Sequence, residues 1–179
     1  MTTVFVTLGT DHHPFDRLID WVAAARDQLG FDLLVQRGAT PSREGVESVE
    51  YVGAPEMESL IDLADVVVCH GGLGTMALAR RLGHRPIVVP RDPELDEHVD
   101  DHQLRHTEEL EREGIIDRAN SLNGLIALLA APRPPRTESR PDGAASDSID
   151  RFGHLVAQFM ADELPRRTWR QRLLVRRTP

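Results

Sequence analysis

Residues 65–75 read Asp-Val-Val-Val-Cys-His-Gly-Gly-Leu-Gly-Thr, an apolar run that leads directly into a glycine-rich turn. A short continuous apolar strand is typical of parallel sheets, whose two faces are both covered by helices. The residues after the turn have helical spacing as far as Leu82. The stretch therefore predicts a strand, a glycine loop and a helix in succession, which is the repeating unit of α/β folds.

The chain on either side continues this alternation of strand-like and helix-like segments. Short turns marked by Gly and Pro separate them, and Pro14 and Gly30 stand where the first helix should begin and stop. The pattern predicts a single doubly wound parallel α/β sheet of the Rossmann-like kind. The predicted strands are 4–8, 31–36, 49–52, 65–69 and 87–89, with 114–116 as a further apolar segment, and the predicted helices are 14–29, 55–64, 75–82, 97–113 and 122–130.

The composition changes after residue 131. Residues 132–147 are rich in proline and small polar residues, which indicates a linker. Residues 148–179 then contain one amphipathic helical pattern and a terminal segment, 166–177, with six arginines and no acidic residue. We therefore predict a Rossmann-like domain over 1–131, the linker, and a helix with a basic tail that could contact an anionic membrane surface.

Charge and composition exclude several functions. All 21 basic residues are arginine, so mechanisms that depend on a phosphate-loop lysine or a lysine Schiff base are impossible. Residues 1–132 hold 11 arginines against 23 acidic residues, which argues against nucleic-acid binding by this part of the chain. The longest apolar run is seven residues, too short to span a bilayer, and there is one cysteine. These features predict a cytoplasmic protein.

Three loops follow predicted strands and are expected to meet at the carboxyl edge of the sheet, where ligands bind in open α/β folds. The first contains Gly9-Thr10-Asp11-His12-His13, the second His70 to Thr75, and the third ends in Glu97 to Gln103. Glycines at a helix start suit a diphosphate, and acidic and amide side chains accept hydrogen bonds from sugar hydroxyls. Together the loops indicate a nucleotide-sugar site.

Other interpretations of these residues stay open at this point. The glycine loop also matches the dinucleotide fingerprint G-x-G-x-x-A, with Asp92 as a ribose-binding acid, or it is a tight turn without a ligand. His98, His102 and His106 fall on one predicted helical face and could bind zinc, although no cysteine accompanies them. We expect no metal, a solvated and dispensable His106, and a buried Cys69. His12 and His13 could also be turn residues at the helix start.

Four ordered motifs resemble the C-terminal, donor-binding domain of GT-B glycosyltransferases over about residues 3–130. They are residues 6–10 (Val-Thr-Leu-Gly-Thr), 65–75, 86–91 (Pro-Ile-Val-Val-Pro-Arg) and 97–103 (Glu-His-Val-Asp-Asp-His-Gln). The chain is most similar to the small catalytic subunits of split UDP-sugar transferases. These act in eukaryotic N-glycan assembly and in bacterial capsular and exopolysaccharide synthesis.

The resemblance implies a UDP-sugar donor and no metal ion or other cofactor. It assigns the diphosphate to His70, Gly71, Gly72, Gly74 and Thr75, with Gly9 and Thr10 closing the pocket. It places the donor sugar or ribose against Glu97, Asp101, His102 and Gln103. One position departs from the family, because Leu78 stands where many relatives carry a ribose-binding acid.

The resemblance also implies half of an enzyme. A separate membrane-anchored subunit would supply the acceptor side and a polyprenyl-linked acceptor, at the inner face of the plasma membrane. The implied reaction is inverting and needs a general base, for which Asp11, His12 and His13 are the local candidates. The alternative from another class is a non-catalytic scaffold subunit that only binds the nucleotide-sugar.

Overall fold

The computed structural model describes residues 1–133, 135 and 136, and they form one six-stranded, all-parallel sheet flanked by helices. The strand order is β3-β2-β1-β4-β5-β6. The strands are β1 Thr3–Thr7, β2 Asp32–Gln36, β3 Ser48–Val49, β4 Val66–Cys69, β5 Ile87–Val88 and β6 Asp117–Arg118; the helices are α1 Asp16–Leu29, α2 Ala54–Leu63, α3 Leu73–Arg81, α4 His102–Arg112 and α5 Leu122–Ala130. The predicted doubly wound α/β sheet is confirmed.

Alternate side chains of the central strands pack into separate helix layers. Val4 and Val6 of β1 belong to the same core cluster as the apolar faces of α1 and α5. Phe5 points to the opposite face and packs with Ile61 of α2 and Ala79 of α3. All four residues of β4 are buried, as the apolar run predicted, and Cys69 is fully buried. Two covered faces fix the register of the central strands.

The predicted helix over 97–113 begins later than expected, at His102. Polar side chains hold the preceding backbone in other conformations: Asp92 accepts a hydrogen bond from the Glu94 N–H, and Asp96 is left-handed with φ of 61°. The Asp100 carboxylate accepts one from the His102 N–H at 3.2 Å. Such local bonds compete with helix formation. Glu97 to Asp101 therefore lie in a loop.

The predicted helix and basic tail, residues 148–179, lie outside the described residues, and the division of the chain into domain, linker and tail stays a prediction. The beginning of the linker does contact the sheet domain. Arg133 binds the Asp117 carboxylate at 3.0 Å, and Arg136 donates to the Asp62 carbonyl at 2.6 Å.

Candidate donor site

The candidate site lies where the chain reverses its direction of travel across the sheet. From β1 the chain moves outward through β2 and β3, and it then returns to β4 on the other side of β1. The crevice beyond the carboxyl ends of two such strands is the usual ligand position in open α/β sheets. The first loop (residues 8–15) follows β1, the glycine loop (residues 70–72) follows β4, and the third loop (residues 89–101) follows β5.

The His70 imidazole lies between two glycines of the site. A Cβ atom added at Gly9 would lie 2.7 Å from the ring, and one added at Gly72 would lie 2.2 Å from Nε2. Gly9 also has a φ of +86°, which side chains other than glycine rarely adopt. These two glycines are required for packing around His70, independently of any ligand.

Gly74 is different, because a Cβ there would meet nothing within 4 Å. It lies in the first turn of α3, whose N-cap is Gly72 and whose first N–H groups donate to no capping side chain. The next residue is Thr75, with its hydroxyl in the same turn. An uncapped helix N-terminus presents free donors and the positive end of the helix dipole, which favours an anion.

Burial lowers the pKa of His70 to about 4, and the positive charge of Arg91 adds to this effect. His70 is therefore neutral at pH 7. Its Nδ1 atom is buried and has no hydrogen-bond partner within the described part of the chain. A neutral imidazole beside a helix N-terminus can donate to a phosphate oxygen and can gain a proton when that phosphate develops charge.

The other side of the glycine loop is held by α4. Gln103 accepts hydrogen bonds through Oε1 from the N–H groups of Gly71 at 3.0 Å and Arg91 at 3.2 Å. His106 is only 2% exposed, and its Nε2 lies 2.6 Å from the Gly71 carbonyl oxygen. The expectation of a solvated His106 is wrong, while its dispensability stays a prediction. Gln103, which the resemblance assigned to the donor, also positions the loop itself.

Arg91 is a buried support that the sequence analysis did not identify. Its side chain is 1% exposed, and its guanidinium donates to the carbonyl oxygens of Leu8 at 2.7 Å and of His13 and Glu97 at 2.8 Å. It also lies over the Phe15 ring at 4.7 Å. One cation thus joins the first loop to the third. The only available signal was an arginine immediately after an apolar strand.

Glu97 also supports the site in the structure. The resemblance places it against sugar or ribose, but it is 5% exposed and both carboxylate oxygens bind Arg17, at 2.8 and 2.6 Å. One of them also accepts from the Asp92 N–H at 2.9 Å. In contrast, Asp101 is exposed and pairs with Arg105 at 3.1 Å.

Asp11 and His13 form a hydrogen-bonded pair in the first loop. Burial alone would raise the pKa of Asp11, but hydrogen bonds from the backbone and side chain of His13 outweigh it and lower the pKa. The two side chains meet at 2.6 Å. Because ionised Asp11 only accepts, His13 donates through Nδ1 and keeps Nε2 as a proton acceptor. His12 is 81% exposed, Thr10 is exposed, and neither histidine caps α1 through a side chain.

Histidine rings line the edge of the site from the first loop to α4. Neighbouring ring centroids are 4.0, 6.4, 4.7 and 5.5 Å apart along His12, His13, His98, His102 and His106. Among the described residues, two groups have ligand atoms close enough to hold a metal ion: Asp11 with His12 and His13, and His98 with Asp100 and His102. His106 is directed to Gly71 instead, so the structure does not group all three histidines as ligands. Our prediction of no metal remains untested.

The buried histidines predict a pH-dependent stability. The pKa values of His70 and His84 are both lowered to about 4, chiefly by burial, from 6.5 in the unfolded chain. Between these values the unfolded state binds more protons, so stability falls as pH falls from 6.5 to 4. Over this pH range we expect each of the two histidines to lower the free energy of unfolding by up to about 3 kcal/mol. Urea unfolding at pH 7.5 and at pH 5 measures the difference in free energy of unfolding, and His84→Gln should reduce that difference. Equal stabilities at the two pH values would contradict the prediction.

The chain resembles known glycosyltransferase domains in its sequence pattern and in its structure. The model of the glycosyltransferase family 28 C-terminal domain matches residues 3–152. No curated protein sequence matches the chain. The solution NMR structure of ALG13 has a TM-score of 0.51 at 22% identity, and the match covers 84% of this chain and 94% of ALG13.

Two larger glycosyltransferases have the same fold over one part of their length. The kitacinnamycin glycosyltransferase has a TM-score of 0.58 at 18% identity, covering 100% of this chain and 44% of that enzyme. CalG4, the calicheamicin glycosyltransferase, has a TM-score of 0.51 at 14% identity, covering 99% and 43% respectively. The chain therefore spans less than half of the length of either enzyme.

None of the helices among the described residues has both the length and the apolar character needed to cross a membrane. Three features agree on the family of the chain. They are the parallel sheet, the glycine loop at the start of α3 and the family match over most of the sequence. The chain belongs to the glycosyltransferase family 28 C-terminal domain family and is the donor-binding domain of a GT-B glycosyltransferase.

Proposed function

We propose that the chain is the catalytic, donor-binding subunit of a two-component inverting glycosyltransferase that uses a UDP-sugar. The observation that carries the proposal is the uncapped N-terminus of α3, which lies beside Gly74, Thr75 and His70 at the edge where β1 and β4 end. A diphosphate there would receive backbone N–H groups, the helix dipole and a neutral imidazole. These groups can stabilise the leaving UDP without a metal ion.

The acceptor side would come from a second subunit. The structural match extends over 44% and 43% of the two larger glycosyltransferases, so it corresponds to one part of each of them. Following the resemblance, the partner is membrane-anchored and the acceptor is a polyprenyl-linked sugar in polysaccharide biosynthesis. The arginine-rich segment 166–177 would then contact the inner face of the plasma membrane, with the rest of the chain in the cytoplasm.

In the proposed reaction an acceptor hydroxyl attacks the anomeric carbon as the bond from that carbon to the diphosphate breaks. UDP leaves with the bonding electrons, and the hydroxyl proton passes to a base. His13 Nε2 is the base we assign, because ionised Asp11 holds its Nδ1–H at 2.6 Å and orients the ring. We assign donor contact to three residues, Thr10, Asp101 and His102. Thr10 and Asp101 are exposed, and the His102 side chain is 24% exposed.

Isothermal calorimetry of the chain with UDP in the presence of a chelator tests the donor assignment. We expect saturable binding of UDP and UDP-sugars that persists when divalent metals are removed, because the helix N-terminus replaces the cation. UDP-glucose, UDP-galactose and UDP-N-acetylglucosamine serve to compare sugars. Tight binding of NAD with no response to uridine nucleotides would overturn the proposal in favour of a dinucleotide site.

The base assignment predicts a change in chemistry without a change in donor binding. In sugar-transfer assays with the partner subunit, Asp11→Asn and His13→Gln should lower kcat about 100-fold or more. UDP affinity should stay unchanged, because the pair acts on the acceptor hydroxyl. His12→Gln is the matched control, since that ring is adjacent but exposed. If all three variants transferred sugar at the normal rate, the base would lie elsewhere. If the unmodified chain bound the donor but transferred no sugar under any condition, it would be a scaffold subunit.

A further inference from the structure

A polar cavity lies at the amino-terminal edge of the sheet, on the side opposite the donor site. Its volume is about 230 Å³. It is enclosed by the start of β4, the end of α3, the turn before β5 and the first residues of the linker. The charged and polar side chains that line it are Asp65, Arg80, His84, Arg85, Arg133 and Arg136.

Positive charge exceeds negative charge around this cavity. Arg85 and Arg133 share one carboxylate, that of Asp117, at 2.8 and 3.0 Å. Arg136 reaches the Asp62 carboxylate at only 3.5 Å. Asp65 also lines the cavity and stays ionised, because its carboxylate accepts hydrogen bonds from the backbone and hydroxyl of Thr3, at 2.8 and 2.9 Å. Even with Asp65 counted, the four arginines that line the cavity outnumber the three carboxylates of Asp62, Asp65 and Asp117. One further anion would therefore be attracted to this position.

Two buried polar atoms of the lining residues lack a hydrogen-bond partner in the described part of the chain. His84 is 5% exposed, and its Nε2 has no partner. The adjacent Arg85 has an equally unsatisfied Nε. Buried polar atoms are nearly always hydrogen-bonded in folded proteins, because leaving them unpaired costs about 1–3 kcal/mol each. Their common position on one cavity wall indicates that a ligand completes the hydrogen bonding.

We propose that this cavity binds a phosphate group, as free phosphate or as the phosphomonoester of a lipid headgroup, between the body of the domain and the linker. Guanidinium groups recognise phosphate oxygens through paired, charge-assisted hydrogen bonds. Arg85 Nε and His84 Nε2 would bind it from the domain side, and Arg133 and Arg136 from the linker side. An occupied site fixes Arg133 and Arg136 against the domain, independently of the donor site.

Calorimetric titration of the full chain with inorganic phosphate, in the presence of saturating UDP, tests the proposal. UDP occupies the helix N-terminus of the donor site and removes it as a second phosphate site. We expect saturable phosphate binding that Arg136→Gln weakens about tenfold, the effect of losing one charge-assisted contact. Arg136 is exposed, so this variant keeps the fold; Arg85→Gln should weaken binding at least as much.

Arg81→Gln is the matched control, because Arg81 is the last residue of α3, near the cavity, but pairs with Glu58 at 3.1 Å and does not line the cavity. Equal binding by the Arg136 and Arg81 variants, or no binding at all, would overturn the proposal. If UDP itself fails to bind, the proposed donor function fails, while the contrast between these variants still decides this site.

Co-sedimentation with vesicles distinguishes the two sources of phosphate. Phosphatidylcholine vesicles that contain phosphatidic acid are compared with vesicles that contain phosphatidylserine instead, which is also anionic but carries no phosphomonoester. Sedimentation that requires phosphatidic acid and is reduced by Arg136→Gln but not by Arg81→Gln assigns the site to a headgroup. Phosphate binding without such sedimentation assigns it to a soluble ligand.

Discussion

Replacing Gly72 with alanine is expected to weaken UDP binding at least about 100-fold, which corresponds to about 3 kcal/mol. The new Cβ would lie 2.2 Å from His70 Nε2 and 3.0 Å from Cδ2. The ring cannot move away, because Gly9 faces it on the other side with no space for even a methyl group. His70 must therefore leave its position or push the start of α3 outward. Either movement disrupts the proposed diphosphate site, and calorimetry with UDP measures the loss.

Gly74→Ala is the matched control for the packing disturbance, not for the loss of UDP binding. Its Cβ would meet nothing within 4 Å, and alanine has a higher helix propensity than glycine, so the variant should be as stable as the parent or slightly more stable. If UDP approaches the α3 backbone as we propose, Gly74→Ala should still bind UDP more weakly. The two variants thus separate a glycine needed for packing from one needed for ligand approach. Normal UDP binding by Gly72→Ala would contradict the site.

The sheet and the loop positions could be predicted from the sequence because both depend on local patterns. The apolar run over 66–69 predicts a strand buried on both faces, and the glycines after it predict a tight turn into a helix. Once parallel strands are predicted, their carboxyl ends must share one edge. The sequence therefore predicts that the first loop, the glycine loop and the third loop share one edge of the sheet, as they do in the structure.

The functions of individual side chains could not be predicted, because their partners are distant in sequence. Glu97 meets Arg17 across 80 positions, and His106 meets Gly71 across 35. A helix pattern that places His98, His102 and His106 on one face gives no information about the loop packed against it. Glu97 and His106 thus resembled exposed polar residues, although burial and a specific partner make them structural supports.

Replacing Arg91 with methionine is expected to lower the free energy of unfolding by about 3–5 kcal/mol. Methionine fills similar volume but leaves the carbonyl oxygens of Leu8, His13 and Glu97 without their donor in a buried site. Arg91→Lys should recover only part of the loss, because one ammonium cannot reach both loops with the geometry of a guanidinium. Urea unfolding at pH 7.5 measures the three stabilities.

Arg105→Met is the control, since the Arg105 side chain is 70% exposed and its pair with Asp101 should contribute less than about 0.5 kcal/mol. If Arg91→Met were as stable as this control, the carbonyl contacts would not support the fold. Arg91→Met should also reduce UDP affinity, because the Arg91 backbone N–H and the Gly71 N–H both donate to Gln103. A displacement of the Arg91 backbone would shift Gln103 Oε1, which also holds the Gly71 N–H of the glycine loop. The stability of the domain is thus coupled to the geometry of its donor site.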